Sequence, residues 1–314
     1  MHRRVFLGTA LASAGALAVG CEPGPVVGSA PLATGQAGIW AIVADDFFLY
    51  WTVFSGEVRR VSLDGGAVET LAKFQAGPSS IAIDATDVFF TGGDGTVARV
   101  PKKGGETSVL TTAVDTGNIA VDDAFVYFTA GSVIKRVAKA GAAAEDLATN
   151  EVNPSGLVVA GTLMWAREGT TGTSSDGAIR EVSVGGGTAN SVVANIKPNR
   201  FARGSKHLVW TEFGDGLVRA ASTDGSDVRD LTLVDPGVER LGALIADDDN
   251  AYFGTDAGTL RVVSLTGTAT AQTITTGQAG RFALASDMQY VYAAKDTTGN
   301  ILAIAKALHA TPQE

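Results

Sequence analysis

Short apolar runs separated by glycine- or aspartate-containing turns repeat along the chain from residue 39 to residue 308. Each unit opens with an apolar run that ends in a turn residue, as in IVAD (42–45) and IAID (81–84). A second run follows and usually carries two bulky residues, then a turn glycine, a third run that opens two residues later with Val, Ile or Leu, and a shorter, more polar fourth run. The second bulky position of each unit is Trp51, Phe90, Phe128, Trp165, Trp210, Phe253 and, in a degenerate seventh copy, Ala293.

These markers recur at intervals of 37 residues (128 to 165) to 45 residues (165 to 210). Four short runs per unit with tight turns between them predict four-stranded antiparallel sheets. Such a sheet does not bury both faces alone, whereas sheets stacked radially in a ring cover one another. The continuous apolar second runs fit strands that are covered on both faces. A parallel β-helix would show a shorter coil period, so the repeat predicts an all-β, seven-bladed β-propeller.

The ends of the repeat predict how the ring closes. The seventh unit stops after its third run, ILAIAKAL (301–308), and the segment SAPLATGQAG (29–38) aligns with the fourth run of the first unit, ETLAKFQAG (69–77). We therefore expect the last blade to be closed by an N-terminal strand, which removes exposed strand edges. This predicts one propeller domain over residues 31–309 and a tail over 310–314.

Residues 1–21 have the layout of a secretory signal: a basic start, an apolar stretch and small residues before Cys21. The Arg3-Arg4-Val5-Phe6-Leu7 run resembles a twin-arginine export motif, and Ala18-Val19-Gly20-Cys21 resembles a lipobox, with Ala18 where Leu is commoner. The alternative is a chance cysteine in an ordinary signal peptide. We expect lipidation at Cys21, a tether over residues 22–30, and sorting to the outer membrane because Glu22, not Asp, follows the cysteine. The expected location is the extracytoplasmic cell envelope.

The charge of the chain restricts its possible partners, and its cysteine content restricts its possible disulfides. The chain has 24 basic and 33 acidic residues; without Arg3 and Arg4 the balance is 22 against 33, or −11. Such an acidic chain repels phosphate backbones and anionic headgroups, which argues against nucleic acid as a partner. Cys21 is the only cysteine, so no disulfide is expected and stability must come from packing.

The marker run Tyr50-Trp51-Thr52, with its echoes FFT, YFT and VWT, resembles the YWTD propellers of the low-density-lipoprotein receptor family. It is closer to bacterial secreted propeller lipoproteins of unassigned function, over roughly residues 39–308. The Asp after the Thr is displaced to Asp256 in one copy and missing in the others, and seven units stand where the receptor family has six. The resemblance therefore implies the fold but does not indicate which ligand is bound.

Metal and catalytic signatures are weak. His207 is the only histidine of the repeat region, so a histidine metal cluster or a catalytic triad lacks its parts, and we expect a turn residue there. Acidic pairs such as Asp45-Asp46 and Asp122-Asp123 suit calcium in principle, but they recur at the same turn, where Asp binds its own backbone. We expect no cofactor and no metal.

The irregular features lie on one face. In the fourth unit REGTTGTSSDG (167–177) replaces a connection of about five residues, and in propellers this connection shares a face with the blade-to-blade crossings around the central funnel. The residues expected at this rim are Arg167, Glu168, Asn118, Asn199, Arg200, Glu239, Arg240 and Arg281. Their arginines either bind a carboxylate, sulfate or sugar acid, or pair with Glu239, Glu168 or Asp176 to hold loops together.

Two functions follow as expectations. The first is a non-enzymatic, monomeric binding or scaffold module that engages a protein, peptide or glycan through its loop-rich face. The alternative is a metal-dependent propeller hydrolase or lyase, similar to gluconolactonases or streptogramin lyases. The first strands are expected to direct mostly small or apolar residues toward the channel, which favours the binding module.

Overall fold

The computed structural model describes residues 31–73, 75–170, 175–236, 238–266, 270–276, 282–295 and 298–306. These residues form 28 strands in seven four-stranded sheets, each a meander of antiparallel strands. The seven-bladed, four-stranded propeller predicted from the repeat is confirmed. Among the described residues there is no helix that is both long and apolar enough to cross a membrane.

The blades follow the chain in order, with each blade's first strand innermost. Blade one holds β2 (Ile39–Ala44), β3 (Phe48–Val53), β4 (Glu57–Ser62) and β5 (Glu69–Ala72), and blade two holds β6 (Ser80–Ile83), β7 (Asp87–Thr91), β8 (Thr96–Pro101) and β9 (Ser108–Thr112). Blade three holds β10 (Thr116–Val121), β11 (Phe125–Ala130), β12 (Val133–Ala138) and β13 (Glu145–Ala148), and blade four holds β14 (Pro154–Ala160), β15 (Thr162–Arg167), β16 (Gly177–Ser183) and β17 (Asn190–Ile196).

The second half of the ring repeats this arrangement. Blade five holds β18 (Pro198–Arg203), β19 (His207–Glu212), β20 (Leu217–Ser222) and β21 (Arg229–Leu233), and blade six holds β22 (Leu241–Ala246), β23 (Asn250–Thr255), β24 (Leu260–Ser264) and β25 (Gln272–Thr275). Blade seven holds β26 (Phe282–Ser286), β27 (Tyr290–Lys295) and β28 (Ile301–Ala305), and its outer strand is β1 (Pro31–Ala33).

The N-terminal strand closes the ring, as the sequence predicts. Pro31 pairs with Leu302 and Ala33 pairs with Ile301 in an antiparallel ladder. The amide of Gln36 then donates to the carbonyl of Gly299 at 2.9 Å, so the first described residues complete the seventh blade before the chain enters the first.

The hydrophobic core is divided among the blade junctions. Seven clusters of buried side chains each combine residues of two adjacent blades, for example Trp51 of blade one with Tyr292 of blade seven. The second strands supply the largest side chains, and Trp51, Trp165 and Trp210 are fully buried. Both faces of these strands are covered, which is why their sequences read as continuous apolar runs.

We call the face that carries the blade-to-blade crossings the upper face, and the opposite face the lower face. On the upper face, Gly95 connects the second and third strands of blade two at φ 87°. A Cβ at this position would collide with the carbonyl oxygen of Ala113 in the crossing. Both the left-handed backbone and the close approach require glycine there, which explains one of the repeated turn glycines.

On the lower face, the repeated aspartates close the turns between first and second strands. Asp45 accepts hydrogen bonds from the amides of Phe47 and Phe48 at 2.9 and 2.8 Å. The same pattern recurs at Asp84, Asp122, Asp247 and Asp287. The turn interpretation of these aspartates is therefore confirmed. Within the described ranges, no three His, Cys, Asp or Glu residues are grouped so as to hold a metal ion.

Candidate functional site

A cavity of about 780 Å³ occupies the upper part of the central channel. First strands of all seven blades line it, joined by the end of β23 in blade six. Because the lining residues lie near the start of each first strand, the cavity opens on the upper face, where the crossings lie. A concave site at the axis of a ring is where a rigid scaffold presents side chains from several elements at once.

One ring of equivalent positions defines the chemistry of this cavity. Each position stands four residues before the turn residue that ends the first run of its blade. The seven members, all of which line the cavity, are Ala41, Ser80, Asn118, Gly156, Arg200, Ala243 and Ala283. Six are small or neutral and one is a cation, so blade five places a single guanidinium among side chains that leave room around it.

Trp40 adds an aromatic surface from blade one. The pairing of β2 with β3 shifts register between Ile39 and Ala41, and this irregularity accompanies the presence of both Trp40 and Ala41 in the cavity lining. Bulges of this kind re-aim side chains at the rims of β structures. The ring of Trp40 lies 5.8 Å from that of Phe54, and both side chains are exposed. The mouth therefore combines a cation and an exposed aromatic pair.

Arg200 is held by its backbone and its neighbours. Its amide donates to the hydroxyl of Thr211 at 3.1 Å, and its guanidinium donates to the backbone oxygen and the side-chain oxygen of Asn199, each at 3.3 Å. Asn199 thus positions Arg200 at the rim. Between blades three and four, the side-chain oxygen of Asn118 accepts the amide of Gly156 at 3.3 Å, which fixes two members of the ring to each other.

Glu168 modulates the field at this mouth. Burial raises the pKa of Glu168 above its usual value, and a hydrogen bond from Asn153 and the positive charge of Arg200 only partly offset that effect. Desolvation favours the neutral acid of Glu168, whereas the nearby cation favours its carboxylate. The long connection of blade four therefore places a half-buried carboxyl within electrostatic range of Arg200.

Blade six contributes Asp256, which was not predicted, to the cavity lining, whereas the predicted rim residues Glu239 and Arg240 are not part of that lining. Asp256, at the end of blade six's second strand, lines the cavity and accepts the amide of Arg240 at 2.7 Å. Glu239 instead forms an ion pair with Arg261 at 2.9 Å and accepts the hydroxyl of Thr259 at 3.4 Å. Of the two alternatives predicted for the rim, ligand binding or pairing between loops, Glu239 shows the second, because its ion pair holds the crossing in place.

Arg167 lies away from the channel lining. Its guanidinium donates to the backbone oxygen of Asp176 at 2.8 Å, which folds the long connection of blade four back on itself. It lines a second cavity, of about 400 Å³, at the upper edge of blade four. Glu151 in that cavity is buried and accepts Trp165 Nε1 at 3.0 Å and Arg180 at 3.2 Å.

The structure shows where most of the predicted site residues lie. The structure brings Asn118 and Arg200 together in the channel, puts Asn199 and Glu168 beside them, and separates Arg167 and Glu239 from the lining. Cys21 and Arg281 lie outside the described residues. His207 begins β19 at the lower end of blade five, remote from the mouth. Sequence reasoning missed Trp40 and Asp256, although aligning the seven first runs shows Trp40 and Phe282 at a position where the other five units carry Ser, Gly or Asn.

Comparisons with known proteins support the fold. No protein-family model and no curated protein matches the chain. Among solved structures, it is similar to virginiamycin B lyase from Staphylococcus aureus (TM-score 0.71, 16% identity, 88% of this chain and 97% of that chain). It is also similar to YCF48 bound to D1 peptide (TM-score 0.66, 11% identity, 90% and 99%) and to a chain of a nidogen/laminin complex (TM-score 0.57, 16%, 73% and 92%). These similarities are to propellers that bind proteins and to a propeller lyase.

Proposed function

We propose that this chain is a non-enzymatic binding propeller whose channel mouth takes an anionic group of a peptide or glycan ligand. The observation that carries the proposal is Arg200, the one charged member of a ring of otherwise small or neutral channel residues, with exposed Trp40 also lining the mouth. The carboxylate of Asp256 in the same lining accepts the amide of Arg240. A guanidinium pairs with carboxylate or sulfate, and an aromatic face takes an apolar side chain or a sugar ring.

Replacing Arg200 tests this role. With uronic-acid oligosaccharides and an acidic peptide library as probes, Arg200→Ala should weaken the binding of captured probes about 10-fold or more, since a charge-assisted hydrogen bond contributes roughly 1.5–3 kcal/mol. Arg203→Ala is the matched control, because Arg203 lies on the same strand at its lower end and donates to Ala160. Equal affinities for Arg200→Ala and the unchanged protein would refute the proposed site.

We also propose that Cys21 is lipidated and holds the propeller at the outer membrane, with residues 22–30 as the tether. The lipobox-like run before the sole cysteine supports this anchoring. Cys21→Ser should abolish incorporation of an alkyne-tagged palmitate and move the protein from the membrane fraction to the soluble fraction. Unchanged incorporation would contradict an anchor at Cys21.

A metal-dependent lyase is the second candidate, favoured by the channel cavity and by a fold similar to virginiamycin B lyase. A histidine-to-alanine variant of that enzyme, crystallised with quinupristin, is described as catalytically inactive. The cavity lining described here includes no histidine, so a lyase would need another general acid or base. Stoichiometric metal in the purified protein, together with cleavage of virginiamycin B, would replace the binding proposal with this one.

A further inference from the structure

A second set of equivalent positions surrounds the channel mouth. Each stands three residues after the second bulky position of its blade, just beyond the upper end of the second strand. Its backbone amide donates to a carbonyl of the preceding crossing, as from Phe54 to Gly38 at 2.9 Å and from Asp256 to Arg240 at 3.0 Å. We call these positions the outer ring. Its members within the described residues are Phe54, Gly93, Gly131, Glu168, Phe213 and Asp256.

Two acids of the outer ring flank the arginine of the channel. Glu168 belongs to blade four and Asp256 to blade six, so they stand on either side of Arg200 in blade five. Glu168 is half-buried, whereas Asp256 is exposed and lines the cavity. One oxygen of Asp256 accepts the amide of Arg240, and within the described part of the chain its carboxylate forms no ion pair. The cavity therefore meets a negative charge one blade away from a positive one.

A ligand with only negative charge suits this mouth poorly. An anion that binds Arg200 enters the cavity that Asp256 also lines, and like charges brought together at an interface repel. The chain as a whole adds to this repulsion, since it has 33 acidic and 24 basic residues. The two charges therefore favour a ligand that carries both an acidic and a basic group over a polyanionic glycan.

Exposed aromatic side chains stand around the same two charges. Phe54 is 65% exposed, and Phe213, which holds the equivalent position in blade five, is 48% exposed. Trp40, whose ring lies 5.8 Å from that of Phe54, is exposed in the cavity lining. Aromatic residues are enriched where proteins bind other polypeptides. Acidic, basic and apolar groups occur together in a polypeptide, whereas uronic-acid oligosaccharides lack the basic ones.

The opposite side of the mouth leaves room for an extended chain. Gly93 and Gly131 occupy the outer ring in blades two and three, so no side chain of this ring stands there. The bulky and charged members lie in blades one, four, five and six. A peptide therefore has a path over blades two and three to the charges on blades five and six.

We propose that the ligand of the channel mouth is a peptide segment in which an acidic and a basic side chain lie close together, with the acid on Arg200, the base on Asp256 and apolar neighbours on Phe54 and Phe213. This assignment rests on the proposed function, in which the mouth binds an anionic group, and it selects a peptide over a glycan. The two charges also fix the direction of the peptide, because reversing it places like charges together.

Matched probes test the charge pair. A library of terminally blocked hexapeptides contains one Glu and one Lys at all spacings among Leu and Phe, and a second library replaces Lys by norleucine. Uronic-acid oligosaccharides are the third probe. The unchanged protein should bind the best Glu/Lys peptides about fivefold more tightly than their norleucine counterparts, the change expected for a partly exposed ion pair.

Asp256→Asn gives the sharpest comparison, because asparagine keeps a side-chain oxygen for the amide of Arg240 and removes the charge. It should weaken the binding of Glu/Lys peptides about fivefold and strengthen the binding of the norleucine peptides. Asp46→Asn is the matched control, since Asp46 is exposed on the lower face and loses the same charge. The control should change neither affinity.

The aromatic contact has its own pair of variants. Phe213→Ala should weaken the binding of Glu/Lys peptides about fivefold, since truncating an aromatic anchor of an interface costs about that much or more. Phe47→Ala removes a phenylalanine that is 71% exposed on the lower face, and it should leave the affinity unchanged. Equal effects of the two variants would overturn the docking of apolar neighbours beside Arg200.

The outcomes separate this inference from the proposed function. Glu/Lys and norleucine peptides that respond alike to Asp256→Asn, or uronic-acid oligosaccharides that bind more tightly than any Glu/Lys peptide, would overturn the inference. In both cases the proposed function stands if Arg200→Ala still weakens binding. If Arg200→Ala weakens no captured probe, or if the unchanged protein captures none of the three probes, the proposed function fails and the inference fails with it.

Discussion

Ion pairs in different parts of the ring lie at opposite ends of the blades. At three junctions a lysine from the end of one blade's third strand reaches the first-turn aspartate of the preceding blade. The pairs are Lys102–Asp45 at 2.7 Å, Lys139–Asp84 at 2.6 Å and Lys306–Asp247 at 2.8 Å. Each lysine also lies over an aromatic ring of the preceding blade, with the nitrogen 5.2 to 5.8 Å from its centre. We call these lower-face pairs the lysine staples.

Blades four to six carry a different kind of ion pair, near the upper face. An arginine of the third strand, paired in the sheet with the second-strand aromatic, meets a glutamate. The pairs are Arg180–Glu151 at 3.2 Å, Arg219–Glu212 at 3.3 Å and Arg261–Glu239 at 2.9 Å. Glu151 and Glu212 are only 2% and 4% exposed and also accept the indole nitrogens of Trp165 and Trp210.

The contrast shows that one repeat supports two kinds of polar contact with different energetic weight. The lysine staples are partly exposed and screened by solvent, so each contributes little. The buried glutamates depend on their arginine and indole partners, because an unpaired charge in the interior is costly. The buried pairs lie in the blades that carry Arg200 and the long connection.

The largest expected effect is loss of a buried glutamate. Glu151→Ala leaves Arg180 and Trp165 Nε1 without their acceptor, and we expect a loss of about 3 kcal/mol in the free energy of unfolding. Glu145→Ala is the control, since Glu145 is an exposed partner of Arg136, and it should cost less than about 1 kcal/mol. Urea denaturation measures both, and equal losses would erase the distinction between the two kinds of pair.

A second expectation compares two buried tryptophans. Trp165→Phe removes a donor to Glu151, whereas Trp51 Nε1 has no hydrogen-bond partner among the described residues. Both substitutions remove similar ring volume, so Trp165→Phe should be more destabilising by about 1–2 kcal/mol. A larger loss for Trp51→Phe in the same urea titrations would show that the indole–glutamate bond carries no weight.

Lysine staples should give a smaller effect. Lys139→Met keeps much of the aliphatic stem and removes the charge that meets Asp84 and the ring of Phe89. We expect a loss of about 1 kcal/mol or less. Exposed Lys103→Met serves as the control for net charge. A loss comparable to that of Glu151→Ala would contradict the ranking.

The smallest expected effects concern how stability depends on pH, and the contributions of Glu168 and Asp84 change in opposite directions as pH rises. Burial raises the pKa of Glu168, so its contribution to stability is complete below its unfolded pKa and is lost as pH rises through the folded pKa. Burial also acts to raise the pKa of Asp84, but hydrogen bonds from Lys139 and from the amides of Asp87 and Thr86 lower it overall. The stability that Asp84 contributes is therefore present above its unfolded pKa and is lost as pH falls through the folded pKa.

Paired variants check these signs. Glu168→Gln should raise the urea midpoint at neutral pH and leave it unchanged in acid, whereas Asp84→Asn should lower the midpoint at neutral pH and converge with the parent in acid. Each difference should stay below about 1 kcal/mol, since both groups are near the surface. The same direction of change for both variants at neutral pH would contradict the assignment.

The sequence predicts the ring because its signals are local and repeated. Turn residues such as Asp45 and Gly95 act within their own hairpins or on the next crossing, and the bulky pairs mark strands covered on both faces. The closing strand also follows from the repeat, since the segment before blade one aligns with a fourth run.

The candidate site was only partly predictable because its contacts join distant segments. Trp40 reaches the cavity beside a register shift that recurs between the first and second strands of five blades, so the shift by itself does not single out Trp40. Arg167 stays out of the channel because it binds the backbone of Asp176 nine residues later. Glu151 becomes buried only when the crossing before blade four lies over Trp165 and Arg180.

The three-residue strand β1 sets the timing of folding. Residues 31–33 are made early but pair with Ile301 and Leu302 near the other end of the sequence, so the seventh blade is completed only after those two residues have been synthesised. Among the described residues this is the strand pairing of longest range, and it places ring closure late, because closing a loop of that size carries a large entropy cost before any contact is gained.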